Sequence, residues 1–207
     1  MGWTNICQIR DNSFLLKSKR YCFILTDYIG RITMVIETVE EIEHLEEKIL
    51  SNADTAYAQL KAKIQNLTAI AFLTEVKFDK IGSDPLEGTD LNFIEQLNQM
   101  FSDLVILEGA RQLLRLYPGK TLKLSLGPTS GFDIESVDGE VVAECFAVTT
   151  AANNQKLQKD CSKLVSKSTG KQKHIFFYSR NDLEEKLQRI YDKYPEIIFK
   201  RTIEFHF

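Results

Sequence analysis

The sequence lacks the features that mark several common classes of protein. It contains no run of about 18 apolar residues, so a membrane-spanning helix is not expected. Its first residues, Met1 to Asn5, do not combine a basic segment with a following apolar one, so a secretory signal is not indicated. None of its four cysteines belongs to a Cys-x-x-Cys pair, which argues against a zinc site or a disulfide framework and favours reduced thiols in the cytoplasm. These cysteines are Cys7, Cys22, Cys145 and Cys161.

Histidine is also scarce. None of the three histidines has a serine or cysteine partner that spacing would suggest, so a nucleophile–histidine site is not expected. They are His44, His174 and His206. An excess of positive charge is absent too, because the net charge of −3 gives no global signal for binding nucleic acid.

One segment departs from this charge balance. Between Lys156 and Lys173, six lysines stand against a single acid, Asp160. Such a run is more typical of a solvated helix face when taken alone, but it also suits contact with a phosphate backbone. The six are Lys156, Lys159, Lys163, Lys167, Lys171 and Lys173.

The composition is that of an ordinary globular protein, with 43% hydrophobic and 27% charged residues in a chain of 207. We expect an N-terminal part, residues 1–89, that consists of a β-rich segment and a long helix over 38–66. Thr38 and Glu41 form the capping box of that helix. The helix could pack on the sheet or mediate a homodimer. Residues 69–78 are predicted to form a strand.

Residues 90–207 are predicted to form the main α/β core. A helix over 90–117, capped by Thr89 or Asp90, precedes three strands, and a helix–strand–helix–strand pattern follows. This order predicts a mixed β-sheet flanked by helices. The predicted strands are 121–126, 131–136, 141–148, 174–178 and 197–207, and the predicted helices are 154–167 and 181–193.

Two carboxylates lie on the two strands of a hairpin that turns at Asp138-Gly139. Asp133 and Glu144 are both surrounded by residues that favour burial. Because a buried charge is costly unless a positive group accompanies it, these acids need a cation, and a divalent metal is one such partner.

A third carboxylate, Glu108, is also predicted to face inward. At about 100° per residue, Glu108 falls within the apolar stripe that contains Leu97 and Leu104. Two explanations stay open. Glu108 either pairs with a buried arginine or a backbone donor, or points to the same site as Asp133 and Glu144.

The order of a helix with Glu108, a strand with Asp133, a strand with Glu144 and a basic helix resembles the restriction-endonuclease-like, PD-(D/E)XK nuclease superfamily. The resemblance covers roughly residues 90–180. It implies a restriction-endonuclease-like core, with Asp133 and Glu144 binding Mg²⁺ (or Mn²⁺) and Glu108 as an accessory acid. The implied reaction is the hydrolysis of phosphodiester bonds in DNA.

The sequence departs from this family at one position. The family usually has lysine two residues after the second acid, on the same strand face, and here Phe146 occupies that place. Some members supply the lysine from a nearby helix, and by resemblance Lys156 would do so. Contacts to nucleic acid are expected from Asn153, Asn154, Lys156, Lys159 and Lys163. The alternative is a catalytically inactive nuclease-fold protein that binds nucleic acid or a protein partner.

Overall fold

The computed structural model describes residues 23–24, 33–127, 131–152 and 155–202. Within these residues the strands are Phe23–Ile24 (β1), Thr33–Ile36 (β2), Gly82–Ser83 (β3), Asp90–Leu91 (β4), Leu122–Ser125 (β5), Ile134–Ser136 (β6), Val141–Val148 (β7), Gln172–Ser179 (β8) and Ile197–Thr202 (β9). The helices are Val39–Asn66 (α1), Ala69–Phe78 (α2), Phe93–Leu116 (α3), Gln155–Lys167 (α4) and Glu184–Lys193 (α5).

Seven strands form one mixed sheet in the order β1-β2-β5-β6-β7-β8-β9. Pairing is antiparallel from β1 to β7 and parallel from β7 to β9. The parallel pairs follow from the connections, because the helices α4 and α5 carry the chain back to begin β8 and β9 in the direction of β7. A four-residue turn joins the antiparallel strands β6 and β7, whereas β2 and β5 pair across a long connection that contains α1, α2 and α3. The predicted mixed α/β sheet flanked by helices is confirmed.

Each face of the sheet carries its own apolar core. Side chains alternate along β7, so that Ala143 and Cys145 face one core while Val142 and Phe146 face the other. The first core lies under α1 and α3, and the second lies under α4 and α5. The sheet therefore lies between the core under α3 and the core under α4.

The N-terminal part contributes to the same sheet. Strand β2 pairs with β5, and α1 packs against α3. The predicted capping box of α1 is confirmed, since the Thr38 hydroxyl accepts from the Glu41 N–H and the Glu41 carboxylate accepts from the Thr38 N–H. These bonds satisfy amide groups that have no partner within the helix.

The prediction of a strand over 69–78 is wrong, because these residues form the helix α2. The segment contains alanine, leucine, glutamate and lysine, which favour helices, and only two β-branched aliphatic residues. An ion pair between Lys63 and Glu75, with 2.6 Å between Nζ and Oε2, joins α1 to α2 across a short turn. Tertiary packing against α1 thus decides the structure of an ambiguous apolar run.

The start of the second long helix also differs from the prediction. Asn92 caps α3 in place of Thr89 or Asp90, and Glu95 completes its capping box. Asp90 instead lies in β4, which pairs with β3, so the first two residues of the predicted helix form a short strand.

The last predicted strand is described from Ile197 to Thr202, and its remaining residues, like most of the predicted strands before residue 33, lie outside the described part. No helix in the described ranges has both the length and the apolar content needed to cross a bilayer.

Candidate functional site

The hairpin of β6 and β7 places Asp133 and Glu144 side by side. Ile134 pairs with Ala143, so the next position outward sets Asp133 opposite Glu144. Glu144 lies on the same face of β7 as Val142 and Phe146, and this face is covered by α4. The structure thus brings together the two carboxylates that the sequence identified.

Asp133 is held at the start of the hairpin by the neighbouring strand. Its Oδ2 accepts a hydrogen bond from the Cys145 N–H, with an N–O distance of 2.6 Å. Burial raises the pKa of Asp133 above its ordinary value, although this hydrogen bond and the charges of Lys156 and Lys163 oppose the rise. The carboxylate is fixed in orientation and costly to keep ionised.

Glu144 is the most deeply buried acid of the site, with 1% of its surface exposed. Burial, and then the charge of Asp133, raise its pKa to about 7, while Lys163 opposes the rise. The Lys163 Nζ lies 2.5 Å from Glu144 Oε1 and donates to the Gly131 carbonyl at 2.5 Å. The Lys163 ammonium therefore balances Glu144 and connects α4 to the segment that precedes Asp133.

Asp160 is a further acid near the hairpin, 4% exposed, that was not expected at the site from the sequence. Its Oδ1 lies 2.9 Å from the Nζ of Lys156, one helical turn earlier on α4. Burial raises the pKa of Asp160, and Lys156 opposes the rise. The charge of Asp160 also raises the pKa of both Asp133 and Glu144, so the three acids form one electrostatic cluster.

A sequence signal for Asp160 existed. Leu157, Cys161 and Leu164 form the buried stripe of α4, and Asp160 falls at the same three- and four-residue spacing. The spacing that places Glu108 on the apolar stripe of its helix also places Asp160 on the apolar stripe of α4. The neighbouring lysines favoured a solvated helix face, so Asp160 was interpreted as one of several exposed charges.

Phe146 lies where the family pattern has lysine, and its ring is buried. It stacks on Phe177 with 5.6 Å between ring centroids. The Lys156 Nζ lies 6.0 Å from the Phe146 centroid. The Lys156 ammonium of α4 therefore lies beside the Phe146 ring.

A groove of about 780 Å³ opens next to these residues, where β7 ends and α4 begins. Backbone and side chains from α3, from the end of β7 and from α4 line it. Its polar lining residues are Asn98, Thr149, Thr150, Gln155, Lys156 and Lys159. Of the residues expected to contact nucleic acid, Lys156 and Lys159 thus share one groove, Lys163 lies behind them on α4, and Asn153 and Asn154 lie outside the described residues.

Glu108 is not brought together with Asp133 and Glu144. Helix α3 packs on the opposite face of the sheet, where Gly109 lies against Phe176 and Ile134. Glu108 accepts from Arg111 Nη1 at 2.5 Å and from Gln112 Nε2 at 2.9 Å.

Arg111 also donates to Glu46 of α1 at 2.5 Å, so Glu108 belongs to an ion-pair network between α1 and α3. Of the two explanations that the sequence left open, the pair with a largely buried arginine is the one found, since Arg111 is 14% exposed. The proposed accessory role of Glu108 at the hairpin site is inconsistent with this placement.

The donor set at the hairpin fits a small divalent cation in part. Asp133 and Glu144 supply hard oxygen ligands, and Mg²⁺ is often held by one or two carboxylates together with water and substrate phosphate. Within the described ranges no group of three or more histidine, cysteine, aspartate or glutamate side chains is arranged to hold a metal ion. An ion at this site would therefore be bound by two carboxylates, with Lys163 withdrawn from Glu144.

Comparison of the chain with protein-family models, with curated proteins and with solved structures found no match in any of the three.

Proposed function

We propose that this protein is a metal-dependent nuclease that hydrolyses phosphodiester bonds in DNA and resembles the PD-(D/E)XK superfamily. One observation carries the proposal: Asp133, immediately before β6, lies beside Glu144 of β7, and both carboxylates are close to two lysines of α4. A helix, two acid-bearing strands and a basic helix follow one another in the order that the resemblance implies.

The free energy needed to keep these carboxyl groups ionised supports a functional role for the cluster. Raised carboxyl pKa values mean that burial destabilises the ionised acids, so the cluster lowers the stability of the fold at neutral pH. Side chains whose pKa values are strongly perturbed in this way concentrate at functional sites. A purely structural core would be as stable or more stable with apolar residues in place of both members of the Lys163–Glu144 ion pair.

Mg²⁺ or Mn²⁺ is the cofactor of this proposal. Bound by Asp133 and Glu144, it would supply charge neutralisation at the phosphate and an activated water. Lys156, held by Asp160 beside Phe146, is positioned to place its ammonium next to a phosphate oxygen. Lys159, Thr149 and other polar groups of the groove would bind the DNA backbone.

A cytoplasmic location is part of the proposal, since Cys145 and Cys161 are free thiols.

One observation favours a second candidate, a nuclease-like protein that binds DNA without cutting it. The Lys163 ammonium already occupies a carboxylate oxygen of Glu144, which a metal ion would need. A site neutralised by its own lysine can keep the fold and the basic groove after catalysis is lost. The two candidates differ in whether a divalent cation displaces Lys163.

Supercoiled plasmid incubated with the protein and Mg²⁺ or Mn²⁺ tests the proposal. We expect nicking by the wild type and none by Asp133→Asn, because asparagine keeps an oxygen for the Cys145 N–H but loses the charge that binds metal. Glu135→Gln is the matched control, since Glu135 lies on the same hairpin and pairs with Lys171 outside the cluster.

Equal cleavage by the wild type and Asp133→Asn would refute the site. If the wild type does not cut but binds DNA with an affinity that falls steeply with salt, the binding candidate is supported instead.

A further inference from the structure

The end of the α1–α2 helix pair carries an exposed apolar surface that the proposed nuclease site does not use. We call it the α1–α2 tip. Its large apolar side chains are between 58% and 74% exposed. They are Tyr57 and Ile64 of α1, and Ile70, Leu73 and Phe78 of α2.

Helix α2 is apolar on more than the side that its neighbours cover. It packs against α1 and α3, and Phe72 and Val76 on that side are half-buried. No residue of α2 is fully buried. A helix that is apolar around most of its circumference is normally enclosed by protein, so the outer side of α2 requires a partner.

The area of the tip matches what two copies of this chain would need. Its five side chains expose roughly 650 Å² in total if a fully exposed large side chain presents about 200 Å². Two such surfaces would bury about 1,300 Å² together, within the range of about 1,200–2,000 Å² that specific interfaces bury. The same patch on a second copy is therefore large enough to form a stable contact.

The charges around the tip favour a second copy over a membrane or a nucleic acid. Residues 51–80 contain four lysines and three acids, which leaves a net charge of only +1. Both signs occur near the apolar side chains, with Asp54 on α1 and Lys61 one turn before Ile64. Anionic lipids and phosphates attract predominantly basic surfaces, whereas a two-fold axis can set opposite charges of a mixed surface against each other.

We propose that two copies of this chain associate through their α1–α2 tips. Each protomer would contribute α1 and α2, and a two-fold axis would pack the outer sides of the two helix pairs together as a four-helix bundle. The tip and the hairpin site share no residue, so this inference stands independently of the proposed nuclease activity.

Sedimentation equilibrium of the full chain tests the association. We expect the wild type to have twice the 23.8 kDa mass of one chain at about 50 µM and to dissociate on dilution. Leu73→Glu places a charge among the exposed apolar side chains of the tip, and we expect it to have the mass of a single chain. Leu183→Glu is the matched control, because Leu183 is a comparably exposed leucine (62%) at the start of α5, and this variant should remain a dimer.

Several outcomes would overturn the proposal. A wild type that is monomeric at about 100 µM, or a Leu73→Glu variant that dimerises as the wild type does, would refute it. Far-UV circular dichroism confirms that each variant is folded, and Ile70→Glu serves if Leu73→Glu is not. A monomeric wild type that co-sediments with vesicles of anionic phospholipid would identify the tip as a lipid-binding surface instead.

Discussion

Asp103 provides a sharp test of the electrostatic reasoning, because its carboxyl group is buried and has no cationic partner among the groups that shift its pKa. It lies on α3, where Gln99 Nε2 donates to its Oδ1 at 2.7 Å and the Gly127 N–H donates to the carboxylate. Gly127 follows β5 in the connection between β5 and β6. Asp103 therefore links α3 to this connection.

Burial raises the pKa of Asp103 from 3.8 to about 7, with smaller increases from the charges of Asp84 and Glu87. The folded state thus binds a proton that the unfolded chain has already lost. The contribution of this group to stability is complete below pH 3.8 and is lost as the pH rises through 7. The difference of about 3 pH units corresponds to about 4 kcal/mol at about 1.36 kcal/mol per unit.

The test variant is Asp103→Asn. The asparagine side chain has nearly the same shape as that of aspartate and does not titrate. Between pH 5 and pH 8 we expect the free energy of unfolding of the variant to increase relative to the wild type by about 3 kcal/mol. Two of the three pH units lie below the raised pKa of about 7, where the wild type loses stability at the full slope. Asp133, Glu144 and Asp160 are present in both proteins, so their contributions cancel in the difference.

Urea unfolding followed by circular dichroism at pH 5, 6, 7 and 8 measures this difference, with EDTA present throughout. The loss of one acceptor in Asp103→Asn shifts all its values by a constant amount and does not change the slope with pH. A difference between the two proteins that is constant from pH 5 to pH 8 would refute the claim that burial raises the pKa of Asp103.

Two further variants test how α3 packs against the sheet and against α1. Gly109→Ala should lower the free energy of unfolding by about 1 kcal/mol, because its Cβ would lie 2.9 Å from the Phe176 ring and overpacking outweighs the gain in helix propensity. Urea denaturation measures the effect, and a more stable variant would show that α3 is free to move away from the sheet. Arg111→Met should cost about 2 kcal/mol, because it leaves Glu46 and Glu108 adjacent without their shared cation. The added change Glu46→Gln should recover part of this loss, and a double variant no more stable than Arg111→Met would contradict the network.

The sequence by itself determined most of the local structure. A capping box and hydrophobic periodicity act over three or four residues. The capping box of α1 and its periodicity located α1, and periodicity alone located most of α3. The Asp138-Gly139 turn and the alternation along β7 set Asp133 and Glu144 on one face of a hairpin, because side chains in strands alternate with a period of two. Because residues two apart on a strand share a face, Phe146 was correctly expected on the same face of β7 as Glu144.

Only the tertiary structure decided which charges meet. Glu108 and Asp160 both fall on the apolar stripe of a helix, and the sequence could not tell which helix covers the face that carries Glu144. The packing of α4 on that face brings Asp160 to the hairpin, whereas α3 lies across the sheet and leaves Glu108 with Arg111. The sequence alone also did not distinguish a helix from a strand in α2, since a short apolar run is compatible with either until its neighbours have packed. Local propensities act between near neighbours in the chain, but ion pairs depend on distances that exist only after the sheet and helices have packed.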